Sequence, residues 1–195
     1  LLAVLIVLPI LWMAISSFKD TGEIYAKEIV WLPKHFRWEN YADVLSGTYL
    51  IRSFFNSLMI TIPPVFIGVL TSAMAGYAFS KLDFPGKNVI FVLMFATMMI
   101  PGVVTMIPAY LLFNAYGWLD TLLPLLIPGM CGSVTTMFFL RQYLSGLPNE
   151  LKEAALIDGL SHGGVFFRIF LPLAKPAMLT QLILSFNGAY NDYMG

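Results

Sequence analysis

Apolar and polar positions along this chain are gathered into long blocks rather than interleaved. Residues 1–18, 53–80, 89–113 and 121–140 contain no Asp, Glu, Lys or Arg. A helix needs about 20 mostly apolar residues to cross the hydrocarbon core of a bilayer, and uncharged runs of about 18 or more are the working criterion. These blocks therefore predict four membrane spans. A fifth, 176–195, starts near Pro176 and runs to Tyr190 before Asp192 interrupts it. The expectation is an all-α, polytopic membrane helical bundle forming one transmembrane domain over 1–195. The chain opens inside an apolar block without a basic leader region, so span 1 reads as truncated, and a sixth span is expected beyond Gly195.

Prolines fall inside the blocks at 9, 63, 64, 101, 108, 124 and 128. Kinked helices are expected, because neighbouring helices, hydroxyls and waters can satisfy the carbonyls that proline frees. Ser72, Ala75 and Gly76 place small residues where two helices could approach closely. Connectors alternate sides of the membrane, so 19–52 and 114–120 share one face while 81–88 and 141–175 share the other. Lys and Arg divide five to six between those faces. The positive-inside rule then makes 81–88 and 141–175 cytoplasmic and 19–52 extracytoplasmic.

Composition narrows the function classes. The chain is 58% hydrophobic and 11% charged, with formal net charge +0 and a mean hydropathy of +0.79, whereas soluble domains carry roughly 25% charged residues. No basic stripe exists to neutralise phosphates, so no nucleic-acid partner is implied. Cys131 is the single cysteine, and His35 and His162 are the only histidines. No metal-ligand spacing and no G-x-x-x-x-G-K-[ST] phosphate loop is found. Membrane lipid is the one partner that composition itself demands.

Residues 141–175 form a polar interlude between spans. After Leu147-Pro148, Asn149 can cap a helix starting at Glu150, whose carboxylate suits the positive helix N-terminus. "ELKEAALID" then ends at Gly159, a residue that takes the left-handed conformation at least cost. Ser161 can cap a second short helix through "VFFRIF", which Pro172 and Pro176 end. Leu151, Ala154 and Ala155 are spaced to pack against something, leaving Glu150, Lys152 and Glu153 available to a partner. Such a helix-elbow-helix is a docking surface or an interfacial amphipathic helix lying on lipid.

Glu153, Ala154, Ala155, Gly159, Ile169, Leu171 and Pro172 together resemble the EAA motif of permease subunits of binding-protein-dependent ABC importers. "NSLMIT" at 56–61, "AGYAFSKLDFPGK" at 75–87 and "FNGAYNDYMG" at 186–195 look like segments of the carbohydrate-uptake branch, the one that contains the second membrane subunit of maltose-type transporters. The resemblance covers nearly the whole chain. It implies a type I ABC importer permease fold and no catalysis by this chain. It also implies that the chain binds no cofactor of its own, ATP and Mg being held by a partner ATPase. The partners implied are a second permease subunit, as a hetero-dimer, two ATP-binding subunits and an extracytoplasmic solute-binding protein. The location implied is the bacterial or archaeal cytoplasmic membrane. Glu153 becomes the polar anchor to the ATPase, Ala154 and Ala155 allow close approach, and Gly159 is the elbow.

Translocation-pathway candidates are Asn187, Asn191 and Asp192, since polar and ionisable groups at membrane depth are costly unless they face a cavity or a partner. The alternatives are a secondary carrier, which would need ionisable groups within its spans, and an integral membrane enzyme.

Overall fold

The computed structural model describes residues 2–47 and 49–192, all helix and loop, with no strand among them. Leu1, Thr48 and the last three residues of the fifth apolar block, Tyr193, Met194 and Gly195, lie outside the described residues. The chain forms two compact units, residues 1–56 and 57–195.

In the first unit, α1 (Leu2–Ser16) carries Pro9, and α2 (Thr21–Ile24) and α3 (Glu39–Gly47) follow. Loop 19–52 is more than a solvated connector. Phe18 is ringed by Phe36, Trp38 and Tyr41 at 4.7–5.7 Å between centroids. Buried Lys19 donates to the Val30 carbonyl at 2.6 Å and lies 3.9 Å over the Trp12 ring. Asn40 Nδ2 donates to the carbonyls of Ser17 and Lys19, both at 3.0 Å. Asp20 caps α2 by accepting from the Gly22 N–H at 3.2 Å and pairs with Arg37. That N–H first, and the Arg37 guanidinium second, hold the Asp20 carboxyl below its usual range.

α4 (Leu50–Lys81) extends the expected 53–80 block by three residues at its start and one at its end. At about 1.5 Å per residue its 32 residues reach about 48 Å, well beyond a hydrocarbon core of about 30 Å. The block 89–113 is divided into α5 (Lys87–Thr97) and α6 (Gly102–Ala115), bent by 100°. Pro101, with its extended backbone (ψ 134°) and no N–H to donate, stands at the break. α7 (Leu123–Met130) and α8 (Val134–Ser145) together make a second helix long and apolar enough to span. It runs past the expected end at 140 and takes in Arg141. That charge is accommodated because Arg141 Nε donates to the Phe79 carbonyl at 3.3 Å and the guanidinium lies 4.3 Å over the Phe91 ring.

Next come α9 (Glu150–Ile157), α10 (His162–Leu173) and α11 (Lys175–Tyr190), the last two bent by 76°. Pro172 does not end α10, as the sequence suggested. The turn ahead of it, Phe166–Phe170, is wound as a π-helix, with the Leu171 N–H bonded to the Phe166 carbonyl. This wider turn makes room for a ring that would clash in an α-helix. The chain bends only afterwards, at Ala174.

The small-residue seam also differs from the expectation. Gly68, Ser72 and Gly76 are the buried series, at i, i+4 and i+8, while Ala75 is half-buried beside it. A methyl at Gly68 would lie 2.3 Å from the Gly129 carbonyl oxygen, and one at Gly76 would lie 3.0 Å from the Arg141 nitrogen. The main core lies where the ends of α4 and α8 meet α9, α10 and α11. Tyr77 packs there in tilted contact, 5.3 and 5.2 Å between centroids, with Phe166 and Phe170, and Leu140, Leu144, Val165 and Ala177 belong to the same core.

Candidate functional site

The elbow 149–172 is built by three local devices. α9 ends in a paired hydrogen-bond closure, Leu160 N–H to Ala155 carbonyl and Gly159 N–H to Leu156 carbonyl, both at 3.0 Å. That closure needs a left-handed residue, and Gly159 supplies it at φ +84°. Ser161 caps α10 by accepting from the Gly164 N–H at 3.2 Å. Asn149 departs from its expected role. Its backbone is already helical and its side chain makes no cap bond; instead its Oδ1 accepts from Lys81 Nζ at 2.8 Å.

The helical repeat sorts the motif residues into two sets. Ala155 is 3% exposed and belongs to the core, with Ile169 and Leu171 packed against it. Its small size serves the fit of α9 onto this chain's own helices, whereas Ala154 is exposed. Lys152 is also engaged internally, donating from Nζ to the Lys81 carbonyl at 2.9 Å. Glu150, Glu153, Ala154 and Ile157, at i, i+3, i+4 and i+7, share the exposed face. Pro172 is exposed as well. Ile157 escaped the sequence reading although it is 86% exposed. The signal was present in its spacing, four residues after Glu153, but an apolar residue before a helix-ending glycine reads most simply as a core contact.

Asn191 Nδ2 donates to both the carbonyl and the Oδ1 of Asn187, at 2.8 and 2.9 Å, so these two amides share one flank of the α11 end. Ser185 and Ala189 occupy another flank and line a cavity of about 180 Å³ with Pro64, Val69, Gly132 and Thr136. Asp192 lies just beyond the helix, whose C-cap is Asn191. Among the described residues no three His, Cys, Asp or Glu gather to hold a metal.

Residues 68–195, which include all of the elbow, match the model of the family described as binding-protein-dependent transport system inner membrane component. The diacetylchitobiose uptake system permease protein of Streptomyces coelicolor is 33% identical over 193 residues, covering 98% of this chain and 64% of that protein. The arabinooligosaccharides transport system permease protein of Bacillus subtilis is 32% identical over 197 residues, 100% of this chain and 70% of its own length. Among solved structures, a chain of a bacterial ABC transporter involved in the import of the acidic polysaccharide alginate superposes with a TM-score of 0.81 at 26% identity. That likeness covers 97% of this chain and 67% of the other. The chain thus spans about two thirds of the length of these relatives.

Proposed function

Because the chain belongs to the family of binding-protein-dependent transport system inner membrane components, we propose that it is the membrane-spanning subunit of an ATP-driven importer of a sugar or related solute. It forms half of the translocation pathway beside a second permease subunit. Two ATP-binding subunits supply the energy, and an extracytoplasmic solute-binding protein delivers the cargo. The chain holds no nucleotide itself; ATP and Mg belong to the partner ATPase. Its location is the cytoplasmic membrane of a bacterium or archaeon.

The exposed face of α9 carries this reading. Glu150, Glu153 and Ile157 stand on a short helix whose opposite face is locked into the core through Ala155. An apolar knob beside carboxylates, on a rigid base, suits a cleft with an apolar floor and a basic rim. That is the form a docking element needs if closure of the ATPases is to move the spans. Glu153 and Ile157 make the outward contact, Ala154 permits close approach, Gly159 sets the elbow, and Ile169, Leu171 and Pro172 hold its second arm. The flank of α11 bearing Asn187 and Asn191, with Asp192 just beyond the helix end, and the flank bearing Ser185 and Ala189 are the surfaces that reach the pathway or the second permease.

Co-expression with and without the ATP-binding subunits, followed by solute uptake in proteoliposomes, tests the reading. Uptake should require both the ATP-binding subunits and ATP. Uptake by this chain alone, driven by an ion gradient, would establish a secondary carrier instead.

A further inference from the structure

α4 ends in a buried cation that points at the elbow. Lys81, the last residue of the helix, is 4% exposed. Its Nζ donates to the Leu147 carbonyl and to Asn149 Oδ1, the two groups that lead into α9, and lies 5.6 Å from the centroid of the Phe170 ring on α10. Lys152, in the first turn of α9, reaches back and donates to the Lys81 carbonyl at 2.9 Å. Each lysine thus bonds to the other's segment. The arrangement suits the negative end of α4, whose last carbonyls have no intrahelical donor. A buried ammonium bound by neutral oxygens is costly to release, because release leaves the charge in an apolar core without partners. α9 is also held by the packing of Ala155 in the core that α4, α8, α10 and α11 share, and by the closure at Gly159 that leads into α10, so the lysine pair adds a polar attachment to the end of α4 beside the apolar one.

We propose that Lys81 is a positioning residue that makes α9 and the end of α4 move as one body, so that force on the exposed face of α9 becomes rotation of the long helix. The functional half of this inference rests on α9 being the docking element; the mechanical half does not. The two are tested separately with spin labels on cysteines at exposed Asp83 and Asp158, in the assembled complex and in a Cys131→Ser background. The wild-type pair should give one narrow distance, kept with and without ATP. Lys81→Met should broaden it, and Asn149→Ala and Lys152→Met should broaden it less. The same complexes should keep their ATP-binding subunits but lose at least about fivefold of solute-stimulated ATP hydrolysis, the lower range of a coupling interaction. Asn149→Ala should add nothing in the Lys81→Met background, whereas residues acting through packing alone would add their effects. A narrow, unchanged distance in Lys81→Met and Lys152→Met would overturn the clasp. A broadened distance with full stimulation would overturn its role in coupling. If Glu153→Lys complexes transported normally, the docking reading would fail while the distance measurement still decided the clasp.

Discussion

The backbone N–H of Ser133 donates to Ser72 Oγ at 2.9 Å, joining residues 61 positions apart. It does so where the second spanning segment is broken, at Cys131-Gly132-Ser133 between α7 and α8, with Gly132 at φ +92°. The preceding residue of α4, Thr71, donates from Oγ1 to the Met130 carbonyl at 3.0 Å. Two adjacent hydroxyls of one helix therefore satisfy groups that the break in another sets free. Non-helical backbone at membrane depth requires such partners.

This pairing separates two substitutions that a list of small residues would treat alike. Ser72→Ala removes the acceptor of the Ser133 N–H and the donor to the Ser133 carbonyl and should cost about 0.6 kcal/mol, at most about 1.7, the mean and the maximum measured for hydrogen bonds between membrane helices. Gly68→Ala puts a methyl 2.3 Å from the Gly129 carbonyl oxygen, with backbone rather than a flexible side chain in the way. It must push α4 and α7 apart. Thermal unfolding in detergent should place Gly68→Ala well below Ser72→Ala; the reverse order would mean that the seam is held by hydroxyls rather than by close approach.

At Gly159 the expected cost has a different origin. A Cβ there meets nothing within 4 Å, yet φ is +84°. Gly159→Val should therefore lose about 1–2 kcal/mol through backbone strain alone. Gly159→Asn should lose much less, because asparagine tolerates the left-handed region. Equal melting temperatures for the two variants would show that the elbow relaxes out of that conformation.

How much of this was legible in the sequence depends on the range of the interaction. The helix stop at Gly159 and the cap at Ser161 follow from neighbours a few positions away, and both are found as read. The Asn149 cap was read by the same local rule and fails, because Lys81, 68 positions earlier, takes its side chain. Charges as segment ends mislead for a related reason. Arg141 lies inside α8 because a carbonyl and an aromatic ring from other segments receive it. Neither partner can be read from a window of residues. Asn187 and Asn191, grouped with Asp192 by composition, lie one helical turn apart and are joined through their side-chain amides.

Asp20 gives the first unit a pH response. Its folded carboxyl is held below the ordinary value of 3.8 by the Gly22 N–H and by Arg37. A depressed carboxyl stabilises above its unfolded value, and that stabilisation is lost as pH falls from 3.8 through the lowered folded value. Amide exchange over residues 20–25 should thus be slower than in an Asp20→Asn variant at neutral pH, and the two should converge below that window. Parallel profiles at all pH values would show that the Asp20 contacts contribute nothing to the order of α2.

The outward face of α9 makes the sharpest demand. Ile157 is 86% exposed, so Ile157→Ala or Ile157→Asp removes no core contact and should leave melting of the isolated chain within about 0.5 kcal/mol, as for surface changes generally. If α9 docks in a cleft of an ATP-binding subunit, the same side chain becomes a buried anchor in the complex. Its truncation should then cost about 2 kcal/mol or more of binding, the scale of an interface hot spot. Glu153→Lys should act by another route, replacing attraction to a basic rim with repulsion, and its effect should weaken as salt rises. Ile157→Ala should be nearly independent of salt. Co-purification of the ATP-binding subunits across a salt series reads both effects, and solute uptake in proteoliposomes reads their consequence. An Ile157→Asp chain that melts normally, retains its ATP-binding subunits and supports full uptake would remove this face from the docking surface.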